Sequence, residues 1–224
     1  MFNNGQGLSI HIRTKVVTWW SYVQSVAIKI GDDTLEVLGE EKKYWLNGQL
    51  GPELTKSGPL PGFTLGGNTV RFRIREDSDF IFKVFLNDGQ AIAMKAIKDF
   101  MKVDLENHKP ASFAVSKGLL GSYEGGLMLA RDGATILDDE NAFGSEWQVQ
   151  PDVDGLIFHE AIGPQYPQAC AMPDASQAQR RLGEGSLISR DKAAEACKDV
   201  DQSDRTDCIA DVLATGDPSM AGAF

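Results

Sequence analysis

Residues 70–105 read VRFRIREDSDFIFKVFLNDGQAIAMKAIKDFMKVDL, and this stretch decides the fold. Val70, Phe72 and Ile74 alternate with Arg71, Arg73 and Arg75. A period of two puts the apolar side chains on one face of a strand and the three arginines on the other. Residues 80–86 and 90–97 are two further apolar, β-branched and aromatic runs, joined by Asn87, Asp88 and Gly89. Those turn residues between such runs predict a β-hairpin. Residues 100–105 continue the meander, and the region from Asn107 to Pro110 ends it. The arginine stripe offers an anionic polymer a contact, but pairing with the chain's many carboxylates is the expectation.

The same grammar extends upstream. Leu8, Ile10 and Ile12 alternate with Ser9, His11 and Arg13, so His11 falls on the polar side of a strand and is expected at the surface or in a pair. Residues 16–30, VVTWWSYVQSVAIKI, are rich in strand formers. Trp20, Tyr22, Val26, Ile28 and Ile30 share one parity and Trp19, Val23 and Ala27 the other, which predicts partial cover on both faces. The tryptophan pair reads as sheet packing before it reads as a sugar platform. Gly31-Asp32-Asp33 is a turn, its two acids turn formers rather than a calcium site or a catalytic pair. Tyr44-Trp45-Leu46, Asn47-Gly48 and Gln49-Leu50 make a strong hairpin signal. Residues 52–61, with Gly58, Pro59 and Pro61, are expected to be loop. Many short strands separated by such turns, without βα alternation, predict an antiparallel sandwich or barrel.

Downstream, residues 116–149 read SKGLLGSYEGGLMLARDGATILDDENAFGSEWQV. Dense glycines predict left-handed backbone or close strand approach. Asp132-Gly133 is a turn, residues 134–137 a short strand, and Phe143 and Trp147 lie one helical turn apart. The glycine spacing fits neither a P-loop nor a dinucleotide fingerprint. The order Gly-Leu-Leu-Gly-Ser-Tyr-Glu-Gly (118–125), Arg-Asp-Gly-Ala-Thr (131–135) and Ala-Phe-Gly-Ser-Glu-Trp-Gln-Val (142–149) resembles the end of a von Willebrand factor type D domain. That family shows Gly-Leu-Cys-Gly-Asn-Phe-Asp-Gly, then an Asp-Gly-Thr turn and a Phe-Gly…Trp close. Leu120, Ser122 and Glu124 stand where the family has Cys, Asn and Asp, which makes this a divergent, cysteine-poor branch.

The resemblance spans roughly 8–149 and selects the sandwich over the barrel. It covers a domain at 1–150; after Val149 the composition shifts to a loop-like linker at 151–172, in which the apolar patch 156–158 is a candidate strand, and then to a helical, cysteine-bearing tail at 173–224. The resemblance also implies an opening strand region with Gly-Asp-Pro-His and a cysteine. Neither occurs before Leu8, so the chain is expected to be N-terminally incomplete. No signal peptide is present at Met1. The family's structural calcium would retain only Ser122 and Glu124 as oxygen carriers here, against the six to eight ligands calcium takes. No cofactor is therefore expected. Gly216-Asp217-Pro218-Ser219 lacks the histidine of the self-cleaving motif and reads as a helix cap.

The tail carries all three cysteines, Cys170, Cys197 and Cys208, with no CxxC. Asp174 is expected to cap a helix to about Leu182, Ser189 a second, and Ser203 or Asp204 a third ending at Gly216. Cys197 and Cys208, with ten residues between them, are the expected disulfide. Chain entropy assigns such a loop about 3 kcal/mol. By the resemblance, Cys170 pairs with the cysteine of the absent opening segment.

The formal charge of −10 argues against nucleic acid and anionic membranes as partners of the whole surface. No apolar run reaches the ~20 residues of a membrane-spanning helix. His11, His108 and His159 sit in unrelated settings, and neither GxSxG nor HExxH occurs, so no catalytic residue is assigned. The resemblance implies a non-catalytic extracellular module that serves adhesion, matrix assembly or multimerisation with protein or matrix partners. The alternatives are a lipid- or ligand-carrying module, which needs an apolar cavity, and a secreted hydrolase, which needs converging carboxylates or histidines.

Overall fold

The computed structural model describes residues 1–17, 20–74, 80–97, 100–107, 116–119, 127–160, 188–202 and 204–224. The chain forms two compact units, 1–13 with 23–161 and 14–22 with 162–224.

The first unit is built on two antiparallel sheets. One has seven strands in the order β12-β1-β2-β3-β4-β5-β6. Its members are β1 (Phe2–Asn3), β2 (Leu8–Val17), β3 (Trp20–Ile30), β4 (Asp33–Leu38), β5 (Lys43–Leu46), β6 (Gln49–Leu50) and β12 (Lys117–Gly118). The other has five in the order β11-β10-β9-β8-β7. These are β7 (Gly58–Leu65), β8 (Asn68–Ile74), β9 (Phe80–Phe85), β10 (Ala91–Ile97) and β11 (Phe100–Glu106).

The alternation read from the sequence fills the space between the sheets. Val26, Ile28, Leu35 and Val37 of the first sheet share one buried core with Leu65, Val70, Phe82, Val84, Ile92 and Met94 of the second. The Tyr44 ring lies 5.3 Å from that of Phe82, which also meets Phe72 at 6.3 Å and Phe80 edge-on at 5.6 Å. The Tyr44–Phe82 contact joins the two sheets, and Phe72 and Phe80 flank Phe82 within its own sheet. The result is a β-sandwich-like, mainly β fold with small C-terminal helices, as the turn-separated strands imply.

The hairpins pair as read. β9 and β10 run Phe85↔Ala91 to Phe80↔Ala96, and β5 and β6 close on Asn47 and Gly48. Those two residues have φ of 49° and 78°, the left-handed pair that a two-residue hairpin of this twist requires. The turn at Asp33 reaches across as well. Its carboxylate accepts from Gly66 N at 2.9 Å and from Asn47 Nδ2 at 3.2 Å. Gly66 has φ of 56°, and a Cβ there would collide with the Ile30 side chain.

Two readings need correction. The loop expected over 52–61 ends earlier, because β7 starts at Gly58 and includes Pro59 and Pro61. β7 is an edge strand whose register shifts between Pro59 and Thr64, and an edge tolerates the missing N–H of proline. Residues 156–158 are not a strand. They run without regular hydrogen bonding as part of a strap, described below.

The segment after β12 keeps its order. β12 pairs with β1 through Gly118↔Phe2. Residues 120–126, including Leu120, Ser122 and Glu124, lie outside the described residues. The Asp132-Gly133 turn closes a minimal hairpin, with Ala130 N donating to Thr135 O and Leu137 N to Met128 O. Helices α1 (Glu140–Glu146) and α2 (Pro151–Asp154) follow. Trp147, adjoining α1, is buried with Phe143, and its indole N–H donates to Leu129 O at 2.9 Å. Arg131 ties these pieces together. It donates to Glu146 O at 2.7 Å and Gln148 O at 2.9 Å, forks onto Asp154 at 2.6 and 3.0 Å, and lies 5.1 Å over the Trp147 ring. Burial works against charge on Asp154, but hydrogen bonds from Arg131 and Gln150 N outweigh it and hold the carboxyl below its usual range.

The second unit contains α3 (Arg190–Ala196), α4 (Arg205–Thr215) and a 3-10 turn (Pro218–Ala223). Ser189 caps α3 by accepting from Lys192 N, and Gly216 ends α4 at φ 72°. Asp217 opens the last turn by accepting from Ser219 N at 3.0 Å. Cys197 and Cys208 form a disulfide with Cα atoms 6.1 Å apart, both buried beside Ala193, Val200 and Val212. The helix expected from Asp174, and Cys170 itself, lie outside the described residues.

Candidate functional site

The outer face of the seven-stranded sheet gathers residues that the alternation assigns away from the core. His11 and Arg13 come from β2, Lys29 from β3, Thr34 and Glu36 from β4, and Trp45 from β5. The register aligns Ala27, Glu36 and Trp45 in one row across three strands, and pairs Lys29 with Thr34. Polar side chains on such a face normally meet water. Here a strap, residues 155–160, lies over them.

Specific contacts hold the strap. The Arg13 guanidinium stands 4.2 Å from the Phe158 ring centroid and donates to Glu160 O at 2.9 Å. The His159 ring stacks on Trp45 with centroids 4.0 Å apart and planes 13° apart. Glu36 Oε2 accepts from the His159 backbone N–H at 2.8 Å and bonds His159 Nδ1 at 2.8 Å. Glu36 is only 3% exposed. A carboxylate that deep needs such partners, because losing water without them costs several kcal/mol. The other ring nitrogen, Nε2, lies 3.8 Å from Glu160 Oε1.

Beside this pair a cleft of about 290 Å³ opens between Lys29, Thr34, Glu36, Trp45 and the strap. Its lining is polar as much as apolar, which suits a small polar ligand better than an acyl chain. A carboxylate that orients an imidazole is also half of a general-base arrangement. Among the described residues no hydroxyl or thiol hydrogen-bonds to His159. Among those same residues no three His, Cys, Asp or Glu side chains gather as a metal site.

The expectation for His11 is overturned. It is 1% exposed, not at the surface, because the strap puts Phe158 over it with ring centroids 6.5 Å apart. Among the described residues its Nδ1 has no hydrogen-bond partner. Burial lowers its pKa to about 4, with the Met1 ammonium acting in the same direction and Asp154 opposing. His108 lies outside the described residues. The Glu36–His159–Trp45 cluster was missed from sequence because its members are 123 residues apart at the hydrogen bond. The available signal was an apolar patch next to a histidine, Leu156 to His159, in a stretch otherwise reading as loop.

A second surface comes from the opening stretch. On the outer face of the five-stranded sheet, Arg71 and Arg73 are exposed and make no ion pair among the described residues, which leave out the neighbouring acids of 75–79. Arg75 lies outside those residues. Register brings Lys83 beside Arg71 and places Lys95 opposite Lys102. Lys83 pairs with Glu106, while Lys95 and Lys102 share Asp104 at 2.8 and 3.6 Å. Phe85, 39% exposed, lies under the Lys83 ammonium at 5.3 Å. Five cations and two carboxylates thus share one sheet face of a chain whose formal charge is −10.

No protein-family model matches the chain, and no curated protein matches it.

Proposed function

We propose that the chain is a non-catalytic adhesion or structural module, akin to a von Willebrand factor type D domain, working in an oxidising compartment outside the cell. The observation that carries this reading is the cationic sheet face, with Arg71 and Arg73 exposed and unpaired among the described residues of an acidic chain. Such a surface is a docking platform: its charge is opposite to the chain's, and it lies on a rigid scaffold rather than a loop. The Cys197–Cys208 disulfide supports the compartment, since reducing cytosol does not sustain structural disulfides in ordinary proteins. The order of motifs over 118–149 supports the family.

The test is secretion followed by adhesion. Expressed behind a heterologous signal peptide, the chain is expected in the medium with Cys197 and Cys208 bonded to each other. Beads coated with it are expected to adhere to extracellular matrix or to one another. Reduced cysteines after secretion, or coated beads that stay dispersed and bind no matrix, would end this reading.

A second reading, a carrier of a small polar ligand, is favoured by the cleft beside Glu36 and His159. Perturbation of the His159 ring resonances by a library of small polar compounds would support it. Unchanged resonances across that library would not.

A further inference from the structure

We infer that the face centred on Arg71 and Arg73 binds a sulfated polysaccharide, an assignment that rests on the adhesive reading and gives it a partner class. Both arginines are exposed on β8, two residues apart, so their side chains leave the same face from backbone positions about 6.8 Å apart along the strand. Lys83 stands opposite Arg71 on β9, one strand spacing of about 4.8 Å away. Positive charge therefore recurs along the strand and across it.

Three features choose the occupant. First, the charges lie on the open face of a sheet and not around a cavity, so no single small anion is enclosed, and useful binding needs a ligand whose charge recurs. Second, Lys83, Lys95 and Lys102 are already engaged by Glu106 and Asp104, whereas the two arginines have no ion pair among the described residues. Those two cations are guanidinium forks, whose planar donor pairs match the oxygens of a sulfate bidentately. Third, the disulfide suits an oxidising compartment, and the extracellular setting of the adhesive reading is where sulfated glycans occur. The net charge of −10 argues against a polyanion wrapping the whole chain. It does not act against a local patch, because charges more than about 8 Å away are largely screened at physiological salt.

The experiment uses the full chain, secreted and disulfide-bonded, on heparin beads and on beads carrying the same backbone after desulfation. Retention on the first and flow-through on the second is expected. Arg71→Glu with Arg73→Glu should lower affinity at least about tenfold and take about two units off the slope of log K against log salt, one for each arginine. The charge-matched control Lys42→Glu with Lys43→Glu changes exposed lysines at the β4–β5 turn of the other sheet and should stay within about twofold, since charges beyond the screening length contribute little. Arg71→Gln with Arg73→Gln covers the case in which the glutamate pair disturbs the sheet, and unfolding curves verify each variant. Equal loss in the control, equal retention on polyglutamate or single-stranded DNA, or self-association in place of heparin binding would overturn the assignment. A folded, secreted wild type that adheres to matrix yet ignores heparin would also overturn it, and would leave the adhesive reading standing.

Discussion

Replacing Glu36 by alanine tests the strap most directly. Glu36 Oε2 serves two donors of one residue, the His159 backbone N–H and its Nδ1, each at 2.8 Å. Each is a hydrogen bond to a charged acceptor, worth about 1.5–3 kcal/mol when a partner is lost. His159 is partly exposed, with 17% of its side chain accessible, so the lower end applies to the ring bond. Glu36→Ala therefore costs about 3–4 kcal/mol, from two bonds at the lower figure plus lost packing of the buried side chain. His159→Ala removes only the ring bond and the stack on Trp45, the latter about 0.5–1.5 kcal/mol, for a total of about 2–3 kcal/mol. The backbone bond survives in that variant, and this asymmetry is the point of the comparison. Urea unfolding of wild type, both single variants and the double variant forms a cycle. The order Glu36→Ala worse than His159→Ala is expected, with a coupling of about 1.5 kcal/mol from the ring bond. Additive effects, or His159→Ala as the more damaging change, would show that Glu36 does not anchor the strap.

Three further outcomes follow from the same structure. Phe82→Ala should cost about 3–5 kcal/mol, because its ring meets Tyr44, Phe72 and Phe80 in the shared core; chemical denaturation reads it, and a cost near 1 kcal/mol would mean the sheets are not packed through it. Cys197→Ser with Cys208→Ser should lower the stability of the helical unit by about 3 kcal/mol on the loop-entropy account, followed by the melting of α3 and α4; an unchanged melt would show that the bridge adds no constraint. His11 supplies a pH dependence. Its folded pKa is about 4 and its ordinary value 6.5, so between those limits the unfolded chain binds a proton that the folded one refuses. The stability tied to neutral His11 is complete above about pH 6.5 and is lost as pH falls toward 4, at up to about 1.4 kcal/mol per unit. The wild-type curve should show this slope between pH 6.5 and 4 and His11→Gln should lack it, and parallel curves would contradict a buried neutral imidazole.

The strands, the hairpin turns and the core were legible in the sequence because they follow local rules. Val70 and Phe72 are buried and Arg71 and Arg73 exposed since a strand alternates its side chains whatever surrounds it. Asn47-Gly48 turns where it stands because both residues accept left-handed backbone. Ser189 and Gly216 bound helices for similarly local reasons, and Cys197 and Cys208 are near enough in sequence for their bond to be foreseen.

What escaped was decided at long range. Alternation tells which residues share a face but not what that face will meet. His11 and Glu36 were therefore indistinguishable from solvent-facing residues until the strap, arriving from beyond residue 154, covered them. The tertiary fold alone brings His159 onto Trp45 and Glu36, and it alone sets which of the described carboxylates reach the cationic face, Asp104 and Glu106 on the lysines and none on Arg71 or Arg73. Backbone propensity and side-chain period act over a few residues, whereas burial and charge pairing depend on which distant segments the fold places alongside them.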